Sequence, residues 1–197
     1  MSRDFTCPVS CLHGVADSFG PDYEFAIQEI TGNPVILDIG ANCGAYSIRS
    51  LDMFPNAVIH AYEPNPTTFK YLEKNCAPRI ICHNQGVGDA GLNRLFQGRK
   101  SLLCCSQYNM EEQEEESIPI EVIEPDFLPE ASIIKIDAEG AESYILERLP
   151  FVPLLLVLEW HRDKNRILVE NCMYGKMQLV DSKHFGSGRG ILKYARM

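Results

Sequence analysis

The segment VILDIGANCG, residues 35–44, constrains the fold more than any other part of this sequence. An apolar run leads into Gly40 and Gly44, and a helical pattern follows at once. Gly40 allows a sharp backbone turn and a close approach to a ligand, and Gly44 lets the helix begin against the sheet. Asp38, at the end of the run, can accept hydrogen bonds from a cationic group. The spacing G-x-x-x-G lacks the second glycine of the dinucleotide fingerprint, so the turn favours a ligand that is less bulky or less anionic than a pyrophosphate.

The rest of the chain alternates short apolar runs with helical stretches, which is typical of parallel strands buried on both faces. The apolar runs are Val35–Leu37, Val58–Ala61, Ile80–Cys82, Ile133–Ile136 and Leu154–Leu158. Helices are predicted from Gly20 to Gly32, from Gly44 to Phe54, from Pro66 to before Pro78 with Asn65 as N-cap, from Gly140 to Leu149, and from Lys164 to Met173 with Asp163 as cap. Met177–Val180 and Ile191–Tyr194, with Gly186 and Gly188 between them, predict an antiparallel hairpin. The fold class predicted is α/β, a three-layer αβα sandwich.

The length and charge of the chain bound its organisation and its partners. With 197 residues and 45% apolar side chains, one sizeable core and a single domain over 1–197 are expected. Within it we assign 1–33 to a helical cap, 34–161 to the binding and catalytic core, and 162–197 to the last helix and the hairpin. The formal charge of -9 disfavours nucleic acid and membrane as partners, because both reward clustered Lys and Arg. No secretory signal or membrane span is apparent, so a cytoplasmic location is predicted.

The eight cysteines are interpreted as reduced thiols, because a chain of this size needs no disulfide staples. Cys7 and Cys11 invite a zinc hypothesis, but no second pair with finger-like spacing follows, and the adjacent Cys104 and Cys105 do not supply one. A structural metal is therefore not predicted. The acidic run Glu111–Glu116 is interpreted as a solvated, mobile loop.

Glu63 ends the second apolar run about twenty residues after the glycine turn. Nucleoside-binding α/β proteins place a carboxylate at this point, where it accepts hydrogen bonds from both ribose hydroxyls. A surface glutamate before a proline-induced turn is the alternative. Because Glu63 and the glycine turn occur together at the expected interval, we favour the ribose role.

Five segments occur in order between Pro34 and His161: VILDIGANCGAYS, AYEPNPTTFKYLEKN, GVGDAG, IIKIDAEGAE and VLEWH. Together they resemble the FkbM-type family of S-adenosylmethionine-dependent methyltransferases. The resemblance implies the mostly parallel, seven-stranded, Rossmann-like sheet of class I methyltransferases, which agrees with five apolar runs plus a terminal hairpin. It also implies that S-adenosylmethionine is the cofactor.

The resemblance implies roles for individual residues as well. Asp38, Gly40 and Gly44 would hold the methionine part and its ammonium, Glu63 the ribose, and Asp89 the adenine amino group. Ala41, Asn42, Pro64 and Asp137 lie inside the same motifs and complete the predicted cofactor-binding set. For Asp89, an ordinary position in a turn formed by Gly86 and Gly88 is the alternative.

Four polar residues follow two neighbouring predicted strands: Asp137, Glu139, Glu159 and His161. Carboxyl ends of neighbouring parallel strands share one edge of a sheet, so these side chains should surround one crevice. We predict His161 as general base because its ordinary pKa is near 6.5, with Glu139 as the second choice and Asp137 as a further catalytic candidate. A divalent cation is possible there but is not predicted.

Other residues near this edge receive structural roles. Lys135 is expected to extend past a sheet edge, and Glu142 to stabilise the N-terminal end of the following helix. Tyr46 and Trp160 are expected in the core, with lining of an acceptor pocket as the alternative.

The predicted activity is therefore methyl transfer from S-adenosylmethionine to a hydroxyl group of a small molecule or saccharide. The family resemblance supplies the hydroxyl. An NAD-dependent oxidoreductase and a non-catalytic adenosyl-binding protein are the alternatives, and the missing phosphate-binding glycine argues against the former.

Overall fold

The fold is built on one large, mostly parallel sheet. A computed structural model of the chain describes residues 5–24, 30, 32–92, 94–98, 101–106, 117–186 and 188–197. In these residues the large sheet has seven strands, which are β1 (Val35–Ile39), β2 (Val58–Tyr62), β3 (Ile81–His83), β9 (Ile133–Ile136), β10 (Leu155–His161), β11 (Met177–Gly186) and β12 (Arg189–Arg196). They lie in the order β11-β12-β10-β9-β1-β2-β3. The strands from β10 to β3 pair in parallel, whereas β12 pairs antiparallel with β10 and with β11.

Helices cover both faces of this sheet, and the two faces bury separate cores. The helices are α1 (Leu12–Ser18), α2 (Ala45–Met53), α3 (Pro66–Cys76), α4 (Glu142–Arg148) and α5 (Asp163–Met173). Leu37 of β1 belongs to the core that includes residues of α4 and α5, and the adjacent Ile36 belongs to the core that includes residues of α2 and α3. Because successive side chains of a strand point to opposite faces, the sheet is the middle layer of three. The predicted αβα sandwich with its C-terminal hairpin is confirmed.

The predicted N-terminal caps of α3 and α5 can be compared with the structure. Asn65 caps α3, because its side chain accepts a hydrogen bond from the Thr67 N–H at 2.9 Å, and Pro66 occupies the first turn as predicted. The predicted cap of α5 is wrong by one residue. Asp163 is the first residue of the helix, and Arg162, with φ +70°, stands in the cap position.

Residues 86–123 contain small strands that the sequence pattern did not predict. β4 (Gly86–Val87) pairs in parallel with β8 (Val122–Ile123), and β5 (Arg94–Gly98) pairs with both β6 (Ser101–Ser106) and β7 (Ser117–Pro119). The expected turn at Gly86 and Gly88 is therefore wrong, because Gly86 is part of a strand.

The first part of the described chain is only partly helical. Short 3₁₀ turns at Val9–Cys11 and Pro21–Tyr23 flank α1. The helix predicted from Gly20 to Gly32 is wrong at its start, because Pro21–Tyr23 is only a 3₁₀ turn and Glu24 is extended. Residues 25–29 and 31, including Ile27, lie outside the described residues, as does the acidic run Glu111–Glu116. A third 3₁₀ turn, Pro125–Phe127, precedes β9. In the part of the chain that can be described, no helix has the length and apolar character needed to cross a membrane.

Candidate active site

The glycine turn after β1 is tied to the strands on both sides of it. The N–H groups of Gly40 and Ala41 both donate to the carbonyl of Tyr62, at 3.0 and 2.9 Å. Gly40 has φ +73°, and a Cβ at this position would lie 1.9 Å from the backbone oxygen of Asp137. The sharp turn and the neighbouring strand end therefore both require glycine here, the second for a reason that the sequence did not indicate, and the close approach of a ligand stays a prediction.

Gly44 also differs from its expected role. Its φ is +88°, and an added Cβ would lie 2.4 Å from Cys76 Sγ and 2.9 Å from a methyl group of Leu72. Both of those residues belong to α3, so Gly44 lets α2 begin against a neighbouring helix and not against the sheet. Gly44 holds the position of the turn without lining the cavity described below.

Glu63 lies directly beside the glycine turn, at the end of β2. Its Oε2 accepts from the Asn42 N–H and its Oε1 from the Asn65 N–H, both at 2.9 Å. Burial raises the pKa of Glu63 to about 7, although these two hydrogen bonds and the charge of Lys135 act to lower it. Each carboxylate oxygen keeps a second lone pair, so the group is held in a fixed orientation with accepting capacity to spare.

Asn42 adds a second polar atom without a protein partner at this position. Its Oδ1 is buried and makes no hydrogen bond within the described part of the chain, although the residue lines the cavity. Its φ of +51° places it in the left-handed region. A buried acceptor that lacks a donor costs free energy, so its presence beside Glu63 favours a ligand with hydroxyl or N–H groups.

Asp38 and Lys135 form a buried pair beneath the turn. Asp38 is fully buried, its Oδ2 accepts from the Ser47 hydroxyl at 2.6 Å, and its Oδ1 lies 3.4 Å from Lys135 Nζ. Lys135 Nζ also donates to the carbonyl of Gly40 at 2.5 Å. The expectation that Lys135 extends past a sheet edge is wrong, because β9 is a central strand and the residue is only 3% exposed. Asp38 supports the turn from behind, so its predicted contact with an ammonium group stays a prediction.

A cavity of about 650 Å³ opens where these strand ends meet. One half is lined by the turn, Glu63 and β4, and includes the predicted cofactor residues Gly40, Ala41, Asn42, Glu63, Pro64 and Asp137. The other half is lined by α1, by the 3₁₀ turn at Pro21–Tyr23 and by Lys183, Phe185 and Arg189 of the hairpin. Glu139 and Glu159 also line it, whereas Asp38, Gly44, Asp89 and His161 do not.

Asp89 sits outside the cavity wall. Its side chain is half-buried and accepts from the Gly91 N–H at 2.8 Å, which is the geometry of an ordinary turn aspartate. Gly86 and Val87 of β4 form the wall near that position instead. The adenine role of Asp89 stays a prediction.

His161 is held between carboxylates on both ring nitrogens. Nδ1 lies 3.0 Å from Glu142 Oε1, and Nε2 lies 3.3 Å from Glu139 Oε2. Burial lowers the pKa of His161, but the hydrogen bond to Glu142 and the charges of Glu139, Glu142 and Asp137 outweigh it and raise the pKa to about 10. The imidazole therefore carries a proton at neutral pH. A protonated imidazole accepts no further proton, and His161 is not among the residues that line the cavity, so this environment does not favour it as general base and that role stays a prediction.

Glu142 explains the state of His161. As the first residue of α4 it is fully buried, and its carboxylate accepts from the N–H groups of Gly140 and Ala138 and from the Asn165 amide. Glu142 thus lies at the helix start as expected and also contacts His161 directly. Sequence reasoning missed this contact because Glu142 comes from the helix and not from a strand end.

The other carboxylates at this edge are also perturbed. Burial raises the pKa of Glu139 to about 8 and that of Glu159 to about 7. Glu159 Oε2 accepts from the Tyr23 hydroxyl at 2.8 Å. Trp160 is core, as expected, and Tyr46 is buried but also lines the cavity.

Comparisons with known proteins agree with this architecture. No protein-family model matches the chain. Methyltransferase sdnD of Sordaria araneosa is 32% identical over 83 residues, which cover 42% of this chain and 27% of that protein. Methyltransferase 1 of Beauveria bassiana is 25% identical over 189 residues, covering 80% of this chain and 70% of that protein. Among solved structures, ribosomal protein L11 methylase of Lactobacillus delbrueckii subsp. bulgaricus superposes with a TM-score of 0.52 at 12% identity, over 95% of this chain and 77% of that one.

The chain has the class I methyltransferase fold. The two curated relatives are both methyltransferases, although the chain spans only about a quarter of the first. S-adenosylmethionine is the cofactor that these comparisons support. The class of acceptor stays a prediction. The expected absence of nucleic acid and membrane partners stays a prediction.

The same edge of the sheet contains the atoms that could hold a metal ion. Ligand atoms of Asp137, Glu139 and His161 all lie within 4.8 Å of one another. Both nitrogens of His161 already face carboxylates, and its proton balances part of their charge. The group is therefore satisfied as an ion-pair network, and nothing in its geometry requires a cation.

Proposed function

We propose that this chain is an S-adenosylmethionine-dependent methyltransferase of the FkbM type that methylates a hydroxyl group of a small molecule or saccharide. The observation that carries the proposal is the cavity itself. The glycine turn, Asn42 and Glu63 line it, and so do carboxylates from two further strand ends and residues of the hairpin. A cytoplasmic location is part of the proposal and rests on the sequence.

The first half of the cavity suits the nucleoside. Glu63 is only 8% exposed and is oriented by two backbone N–H groups, so its remaining lone pairs can accept from two ribose hydroxyls without rearrangement. The unpartnered Oδ1 of Asn42 offers another acceptor nearby. Gly40 and Ala41 would lie against the methionine part, and Asp137 of the same wall would offer a carboxylate to the positive charges of the cofactor.

The second half of the cavity suits an acceptor. S-adenosylmethionine supplies an activated methyl group, so the protein chiefly has to align acceptor oxygen, methyl carbon and sulfur and to accept a proton. Tyr23, Phe185 and Arg189 close this half from two different parts of the chain. The alternative of an NAD-dependent oxidoreductase is disfavoured, because the G-x-x-x-G turn provides no second glycine for a pyrophosphate. A non-catalytic adenosyl-binding protein would bind the cofactor without methylating an acceptor, so a turnover assay distinguishes it from the proposed enzyme.

Calorimetry tests the cofactor part of the proposal. S-adenosylmethionine and S-adenosylhomocysteine are expected to bind the purified chain, and NAD is not. Glu63→Ala should weaken S-adenosylmethionine binding at least about tenfold, because charge-assisted hydrogen bonds contribute about 1.5–3 kcal/mol each. Glu73→Ala, which removes an exposed carboxylate on α3, is the matched control and should bind like the wild type. Equal affinities for all three proteins would remove Glu63 from the ribose role.

A further inference from the structure

Glu159 is a largely buried carboxylate on the cavity wall. It belongs to β10, two residues before the strand ends, and its side chain is 13% exposed. The carboxylate lines the cavity together with Asp137 and Glu139 of the neighbouring strand end. It is hydrogen-bonded to Tyr23, which lines the same cavity together with residues of the hairpin.

The two oxygens of Glu159 are in different situations. Oε2 accepts from the Tyr23 hydroxyl at 2.8 Å, which fixes the orientation of the group. Oε1 has only longer contacts within the described residues, at 3.8 Å from His161 Nε2 and 3.8 Å from Arg189 Nη1. Oε1 is thus free to accept a hydrogen bond from a ligand, and two cations lie close enough to stabilise its charge.

The other titratable groups at this edge have different surroundings from Glu159. His161 holds a proton between Glu142 and Glu139, and Glu139 Oε2 is its contact at 3.3 Å. Asp137 lies on the same wall, but its nearest cation is the buried Lys135 amine, 3.8 Å from Oδ2, and no hydrogen bond among the described residues orients its carboxylate. Glu159 differs because the Tyr23 hydroxyl fixes one of its oxygens and leaves the other available on the cavity wall.

We propose that Glu159 is the general base that takes the proton from the acceptor hydroxyl, and that Tyr23 positions it. This assignment rests on the methyltransferase function proposed above. The proton of the acceptor O–H moves to Glu159 Oε1, and the oxygen lone pair forms the new O–CH₃ bond. The C–S bond breaks at the same time and its electron pair remains on sulfur, which leaves S-adenosylhomocysteine, the methylated acceptor and protonated Glu159. The proton then returns to solvent.

The electrostatics around Glu159 agree with that role. The groups that face it are Tyr23 from the cap, Lys135, Asp137 and Glu139 from β9 and its end, His161 from β10, and Arg189 from β12. Burial and the charge of Asp137 raise the pKa of Glu159 to about 7, against the lowering by His161, Tyr23 and Arg189. A general base works best with a pKa near the working pH. Burial, together with the charges of Asp137 and Glu159, raises the pKa of Tyr23 well above its usual value, so its hydroxyl remains a donor.

A direct titration tests the assignment without a known acceptor. With ¹³C-labelled glutamate side chains and bound S-adenosylhomocysteine, the resonance that disappears in Glu159→Gln should titrate near neutral pH. Tyr23→Phe should move that midpoint to higher pH, because the hydrogen bond from Tyr23 favours the charged form. Tyr174→Phe, at an exposed site, is the matched control and should leave the midpoint unchanged. A midpoint below pH 5, or one that Tyr23→Phe does not shift, would overturn the proposal.

Turnover provides the second readout. Tritiated S-adenosylmethionine is offered with methyl glucoside or phenol as the probe hydroxyl. Glu159→Gln should lower kcat at least about a hundredfold, while its Kd for S-adenosylmethionine changes less than about threefold. Glu73→Gln should behave like the wild type. A Glu159→Gln variant with unaltered kcat would refute the base, whereas a wild type that binds no S-adenosylmethionine would refute the proposed function instead. If neither probe is methylated by the wild type, the titration decides.

Discussion

The buried carboxylate of Glu63 gives a stability test that is independent of any acceptor. Its pKa in the folded chain is about 7, compared with an ordinary value of 4.5, and burial is the main cause. The folded state therefore binds this proton more tightly than the unfolded state. The contribution to stability is fully present below pH 4.5 and is lost as the pH rises through 7.

The size of this effect follows from the shift. One pKa unit corresponds to about 1.4 kcal/mol, so between pH 5 and 8.5 the wild type should lose up to about 2.5 kcal/mol relative to Glu63→Gln. For a chain of this length that difference is roughly 5–10 °C in Tm. Any constant cost from the altered hydrogen bonds of the substituted side chain cancels, because the comparison concerns only the change with pH.

Urea unfolding of the ligand-free protein at pH 5, 6, 7 and 8.5 measures the effect. The free energy of unfolding of the wild type should fall relative to that of Glu63→Gln as the pH rises. Glu73→Gln, at an exposed position on α3, should give a curve parallel to the wild type. If the Glu63→Gln curve is also parallel to the wild type, the reasoning about burial at this site is refuted.

Two further predictions concern the support of the glycine turn. Gly40→Ala should lower the free energy of unfolding by about 3 kcal/mol or more in the same urea assay, because its Cβ would meet the Asp137 backbone oxygen. Gly175→Ala, with nearly the same φ but open space around it, should lower it by only about 1–2 kcal/mol. Equal losses in the two variants would contradict the clash. Lys135→Met should lower the free energy of unfolding by about 3–5 kcal/mol, because it leaves Asp38 buried without a cation. Adding Asp38→Asn to that variant should restore part of the lost stability, and no restoration would contradict the ion pair.

Much of the sheet could be predicted from local sequence because its central strands are buried on both faces. Such strands read as uninterrupted apolar runs, and Ile133–Ile136 has the same bounds in the sequence pattern and in the structure. β4 and β8 are two residues long, which is too short to show either a run or an alternation. The cap of α5 was misplaced because a positive φ at Arg162 leaves no local signature in the sequence.

For the candidate site, the sequence predicted which residues lie along one edge of the sheet, but not which of their side chains contact each other. Glu63 and the glycine turn were expected together, because the carboxyl ends of adjacent parallel strands meet. The proton on His161 was missed because it depends on Glu142 from the next helix. The contact between Tyr23 and Glu159 joins residues 136 positions apart, and only the folded chain shows it.

The cavity walls have a consequence for how such a protein could change its specificity. The compartment assigned to the nucleoside is built from consecutive strand ends in the middle of the chain, whereas the opposite wall combines residues 10–23 with the hairpin. Under the proposed function, exchanging those two peripheral segments should change the acceptor that is methylated and leave the proposed nucleoside site unaltered. Diversification within this architecture can thus proceed in one compartment at a time.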